Sequence, residues 1–227
     1  LFLAYSKQSW EKFNPAADWV QTNRDKIYVE FPKFIAEKSI GFFEQLVAKM
    51  VENGVRNFVV AHLSQKLLVP DGCRVVTNEN VYTFNDAAVQ FLVQEGVSGF
   101  MYPREIDFET LESMANKSGM VPLFFYPELF YSRMPVQLKE SENFTGDDDK
   151  LKYRRFRRNG ITSIVPDRPV SILHHKNRLV NLGFRRFLID TSFDTFSKNR
   201  LKTLKTRFLK SEQIQPSTTF NFVKGMK

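Results

Sequence analysis

Cysteine is almost missing from this chain. Cys73 is the single one in 227 residues, which excludes an internal disulfide and any four-cysteine zinc site or iron–sulfur cluster made by this chain alone. Long apolar runs are missing as well. No stretch approaches the roughly 20 residues needed to cross a bilayer, so no membrane span is expected. No secretory leader is visible, because the opening LFLAYSKQSWEKF turns polar and charged after five positions. With the lone thiol, this points to a reducing compartment and hence to the cytoplasm. Leu1 in place of Met suggests that the sequence begins inside a longer product. There is no glycine-rich phosphate loop, no HExxH, no GxSxG and no CxxC. The three histidines are His62, His174 and His175. The adjacent pair, expected in a helix, cannot share one face, and no second ligand stands at a suitable spacing, so neither a metal nor a cofactor is expected.

What is present suffices for a core, since 42% of the residues are hydrophobic and 26% charged. The net charge is +8, and it is unevenly spread. Residues 150–227 hold 19 Lys or Arg against 4 Asp or Glu, or +15, and the first 149 hold 14 against 21, or −7. A basic final third on an acidic body is what a surface facing a polyanion such as RNA requires, because each neutralised phosphate releases counterions. The same residues would also serve as the solvated outer faces of helices and strands. The densest stretch is Lys150, Lys152, Tyr153, Arg154, Arg155, Phe156, Arg157 and Arg158, in which cations alternate with two aromatics. Such a stretch can contact phosphates and stack on unpaired bases, or form a strand with aromatics inward and arginines outward. Lys198 to Lys210 reads as a helix with Leu201, Leu204 and Phe208 on one face and six cations elsewhere.

Glycine punctuates the chain at Gly54, Gly96, Gly119 and Gly183, each after a helix-like stretch and before a short apolar run. Glycine there is expected to supply the left-handed residue that stops the helix. The runs are Asn57–Ala61, Ser98–Tyr102, Val121–Phe125 and Arg186–Ile189, and with Lys26–Phe31 and Arg74–Thr77 they make six expected parallel strands. Ile40, Phe43, Val47, Met50 and Val51 put one apolar stripe on a helix over Glu37–Asn53, and Asn85 and Asp107 are placed to cap the next two helices. Helix, glycine and buried strand in repetition predict an α/β fold, a partial or complete (β/α) TIM-like barrel with parallel strands. Alternation around Asn159-Gly160 predicts one inserted β-hairpin, preceded by a polar loop over Glu140–Asp149. Residues 1–25 are expected to be a linker or the end of a preceding region, and 26–227 the barrel portion.

In such a fold, ligands sit at the carboxyl ends of the strands. That position gives the candidate pocket residues Glu30, His62, Asn78, Arg104, Glu105, Tyr126 and Asp190, with Asn85 beside them. Carboxylates converging with an arginine and a histidine are suited to proton transfer or to holding a polar substrate. They are equally suited to capping helices and pairing with one another.

The order of these residues resembles the collagenase-like peptidase family U32. The carrying residues are Val75-Val76-Thr77-Asn78, Tyr82-Thr83-Phe84-Asn85, Tyr102-Pro103-Arg104-Glu105-Ile106-Asp107, Leu123-Phe124-Phe125-Tyr126-Pro127-Glu128-Leu129 with Tyr131-Ser132-Arg133, Lys152 to Asp167, Phe187-Leu188-Ile189-Asp190, and the terminal Thr219 to Met226. The resemblance spans Lys26 to the C-terminus and implies a barrel-type hydrolase, or a module associated with RNA modification. Glu105 and Asn85 are its most transferable positions. Relatives linked to hydroxylation of RNA bases or of a quinone precursor hold an iron–sulfur cluster on four cysteines, some just after the strand matching Val121–Phe125. Here those places are taken by Phe130, Ser132, Met134 and Pro135. The resemblance also implies barrel strands before Lys26, supplied by a missing N-terminal region or a second subunit.

Overall fold

The computed structural model describes residues 1–134, 144–145, 152–158, 160–194 and 197–225. Its first strand is only two residues long: Phe2–Leu3 (β1) lies parallel to Tyr28–Glu30 (β2), with Phe2 opposite Tyr28 and Leu3 opposite Val29. Between them come the helices Lys7–Glu11 (α1) and Asp18–Asn23 (α2). Trp10, Phe13 and Val20 from this region are buried with Leu3 in the same core as Val29 and Phe58. Residues 1–25 are therefore not a linker, because they bury aromatic and aliphatic surface and extend the sheet by one strand.

The apolar stripe predicted after residue 37 forms. A 3-10 turn at Glu37–Ser39 leads into helix Ile40–Glu52 (α3). Phe43, Leu46, Val47 and Met50 are its buried residues, each contributing about 1.5–3 kcal/mol of apolar burial. Ile40, at the start of the stripe, is exposed. Gly54 ends the helix region with φ +80°, a conformation open to glycine without strain.

Strands Asn57–Val60 (β3), Arg74–Thr77 (β4) and Gly99–Phe100 (β5) follow, with helix Asp86–Gln94 (α4) between the last two. The five strands form one parallel sheet in the order β1-β2-β3-β4-β5, each paired with its neighbour in sequence. Val29, Phe58, Val59 and Val76 are almost fully buried, as strands covered on both faces must be.

The chain divides into two compact units, Leu1–Pro103 and Arg104–Lys227. The second begins with helix Phe108–Ser113 (α5) and strand Met120–Phe125 (β6). Gly119 is absent from the positive-φ glycines; the approach to β6 instead turns at Asn116, whose side chain accepts from the Ser118 amide at 2.8 Å. Next come Phe130–Ser132 (β7), Phe144–Thr145 (β8), Lys152–Arg158 (β9), Ile161–Pro166 (β10) and Val170–Ser171 (β11). A 3-10 turn at Leu173–His175 leads into helix Lys176–Asn181 (α6), then strand Arg186–Ile189 (β12) and helix Lys198–Lys210 (α7).

β6 is the centre of a three-stranded sheet, antiparallel to β11 and parallel to β12. The predicted hairpin is present, with Arg158 opposite Ile161 and Gly160 at φ +76°. It belongs to a larger antiparallel sheet of order β7-β10-β9-β8. Asn159 and nearly all of the expected loop Glu140–Asp149 lie outside the described residues, as does Lys150.

The six predicted strands are thus all found, and β1 joins them. The architecture is mixed α/β, with a five-stranded parallel sheet in the first unit and two smaller sheets in the second. Among the described residues, no helix is long and apolar enough to cross a membrane.

Candidate functional site

The candidate pocket residues divide equally between the two units, and each group makes its own arrangement. In the first unit, Glu30 ends β2 and Asn78 follows β4. The Asn78 side-chain amide donates to the Glu30 carboxylate at 3.0 Å. Asn78 is buried, and its Oδ1 accepts from the backbone and the side chain of Asn80 at 3.0 and 2.9 Å. The two strand ends are thereby tied together through a carboxylate.

His62 follows the end of β3, the strand between them. It is exposed and caps the 3-10 segment Leu63–Leu68, its Nδ1 accepting from the Ser64 amide at 3.2 Å and bonding the Ser64 hydroxyl at 2.8 Å. Buried Gln65 takes the inner position beyond β3, accepting from the Ala61 amide and donating to the Pro32 carbonyl. Asn85 caps α4 by accepting from the Ala88 amide at 2.8 Å, and Asp107 caps α5 by accepting from that of Thr110 at 2.7 Å. These are the caps their positions predicted.

The second unit gathers more chemistry. Arg104 reaches two strand ends: Nη1 donates to the Tyr126 carbonyl after β6 at 2.9 Å, and Nη2 to Asp190 Oδ2 after β12 at 2.6 Å. The side chains of this ion pair are only 14% and 12% exposed, and the guanidinium also lies over the Phe125 ring. Asp190 Oδ1 accepts from the Ser192 amide at 2.8 Å.

Beside this pair, the Tyr126 hydroxyl donates to Asp194 Oδ1 at 3.4 Å, and Asp194 Oδ2 accepts from Arg200 Nε at 2.8 Å. Burial, reinforced by the Asp194 carboxylate, raises the Tyr126 hydroxyl above its ordinary pKa, and Arg154 and Arg200 oppose this. The phenol therefore stays protonated at neutral pH and acts as a donor. Glu105, half-buried in the turn with Arg104, takes no part in these bonds.

The basic strand β9 supplies what was not foreseen. Alternation sends Arg154, Phe156 and Arg158 to one face and Tyr153, Arg155 and Arg157 to the other. On the first face, Arg154 stacks over Tyr126 at 4.6 Å, Phe156 packs on Phe193 at 5.0 Å, and Arg158 lies over Phe193 at 5.1 Å. Arg154 and Arg158 also donate to the backbone carbonyls of Phe193 and Ser192 at 3.1 and 2.6 Å.

Four arginines, a tyrosine and three aspartates, including Asp167 at 3.8 Å from Arg154, are thus interlocked, with formal net charge +1. Asp190 and Asp194 are each occupied by an arginine, and no nucleophile stands beside a free base in this group. The expectation that the two aromatics of this strand point the same way is corrected: Tyr153 and Phe156 are three apart, so a pleated strand must place them on opposite faces.

Two spaces in this unit differ sharply. That bounded by Arg104, Ile106, Val121, Phe125, Ile172 and Phe222 is about 10 Å³, room for roughly one water. A groove along α7, lined by Lys202, Thr203, Thr206, Arg207, Lys210 and Glu212, is about 480 Å³. Leu204 is the buried residue of that helix, while Leu201 is about half exposed. Cys73, in the first unit, has its thiol pushed up by burial, with Arg56 opposing, so it is not poised as a nucleophile. Among the described residues, no group of three or more His, Cys, Asp or Glu side chains could hold a metal ion.

No protein-family model, curated protein or solved structure matches the chain.

Proposed function

We propose that this protein is a nucleic-acid-binding module whose basic second unit grips the phosphate backbone of RNA, rather than a hydrolase acting through the strand-end carboxylates. One observation carries the reading: Asp190 and Asp194 are each committed to an arginine, while β9 carries further cations and those of α7 line a groove of about 480 Å³. A carboxylate already paired with a guanidinium is a poor general base, because its lone pairs and its charge are engaged. Cations arrayed along a strand and a helix suit a repeating polyanion.

The sequential order of the parallel strands supports a (β/α) barrel portion as the scaffold, and the resemblance to family U32 is compatible with a partner of this kind. The cytoplasm is the compartment in which such a role is proposed.

The test is fluorescence anisotropy with a labelled RNA across a salt series. Binding should weaken as log Kd against log salt, with about 0.7 of slope for each single-strand phosphate contact, and Arg157→Gln should lower the slope by about that amount. Absence of binding at about 0.05 M salt, or affinity indifferent to salt, would refute the proposal.

A further inference from the structure

One face of the four-stranded antiparallel sheet combines residues from strands that are distant in sequence. Tyr153, Arg155 and Arg157 of β9 turn away from the face that packs on Phe193 and Tyr126. Their register partners on β10 are Pro166 and Ile164, both partly exposed, and Thr162, which is buried. Ile164 is in turn opposite Phe130 of β7, and Thr162 opposite Ser132. Phe130, Ile164 and Arg155 therefore form one cross-strand row, with Tyr153 two residues further along.

With strands about 4.8 Å apart and about 3.4 Å per residue, the backbones carrying Phe130 and Tyr153 stand about 12 Å apart on one surface, with Ile164 and Pro166 of β10 between them and Arg155 level with Phe130 beside Tyr153. Phe130 is 55% exposed, Arg157 is exposed and Tyr153 half-buried. A phenylalanine with more than half of its surface in water gains only part of what burial could give it. Next to a tyrosine and two guanidinium groups, it makes a surface that is aromatic and cationic together.

Resting on the reading above, we infer that this face binds single-stranded RNA, with bases stacking on Phe130 and Tyr153 and with Arg155 and Arg157, along the strand that carries Tyr153, meeting the phosphates. Charge selects a polyanion but does not tell a duplex from a single strand. Partly exposed aromatic rings on a sheet face do, because in a duplex the base faces are already stacked and hidden. The cationic groove of α7 has no aromatic lining, so it can add affinity for either form without discriminating between them.

The experiment measures the full chain against a labelled 12-nucleotide oligouridine, the DNA oligomer of the same length, an RNA duplex and heparin. The oligouridine should bind at least about tenfold more tightly than the duplex. Phe130→Leu and Tyr153→Leu should each weaken single-strand binding by about fivefold or more and leave duplex and heparin binding unchanged. Phe130→Trp should keep the affinity, and its added emission should be quenched by bound oligomer, a signature that a merely structural role would not give. Equal binding of the DNA oligomer supports the inference, since neither stacking nor phosphate contact reads the sugar. If the duplex and heparin bind as well as the single strand and both leucine variants behave as wild type, the inference falls and the polyanion reading survives. If no polyanion binds, both fall.

Discussion

Replacing Asp190 with asparagine isolates the ion pair that joins the ends of β6 and β12. Asp190 accepts a 2.6 Å bond from Arg104 and a 2.8 Å bond from the Ser192 amide. Asparagine keeps the shape but has a single acceptor oxygen, so one of the two donors must face an NH₂ group. Breaking a fully buried pair costs about 3–5 kcal/mol. Here the two side chains retain 14% and 12% exposure, and Arg104 keeps its bond to the Tyr126 carbonyl and its contact with Phe125. The expected loss is accordingly about 2–3 kcal/mol, which for a chain of this size lowers the melting temperature by about 4–12 °C. Urea unfolding followed by far-ultraviolet circular dichroism measures it. Hydrogen exchange at the Asp190 amide, which bonds the Phe124 carbonyl at 2.8 Å, locates it. A loss below about 0.5 kcal/mol would mean that the pair behaves like a solvent-exposed one and would refute the account of a desolvated clamp. Arg104→Lys should fall between wild type and Asp190→Asn, because an ammonium cannot span both acceptors as the planar fork does.

Stability should also depend on pH through His174 and His175, both lowered by burial, with His175 lowered further by His174 and Arg178. Their contribution is full above the ordinary histidine value of about 6.5 and is lost as pH falls through the depressed folded values, because the unfolded chain then binds more protons. His175→Gln should flatten that slope in urea titrations, and an unchanged slope would count against burial as its origin. Asn85→Ala and Asp107→Ala should each cost about 1 kcal/mol as lost helix caps, read as a shift in the urea midpoint; a neutral effect would show that the amides of Ala88 and Thr110 find water instead. Leu204→Ala, at a side chain only 1% exposed, should cost about 2–5 kcal/mol by the same measurement, whereas Leu209→Ala on the exposed side of α7 should cost little.

Much of the architecture was determined by the sequence alone, wherever the signal is local. The stripe Phe43, Val47 and Met50, the caps Asn85 and Asp107, the turn at Gly160 and the apolar runs of β3, β4, β6 and β12 each follow from a few neighbouring residues and from the steric and hydrogen-bonding rules they obey. The tertiary structure decided what depends on partners far away. A two-residue strand at Phe2–Leu3 has no periodicity to read and exists only because β2 offers it an edge. Which carboxylate meets which arginine was set by loops 86 residues apart, as Arg104 and Asp190 are. Phe130 and Tyr153 share a face because β10 lies between their strands in register. Alternation along one strand says which residues are together on it, but only the pairing of strands says which aromatics from elsewhere will stand beside them.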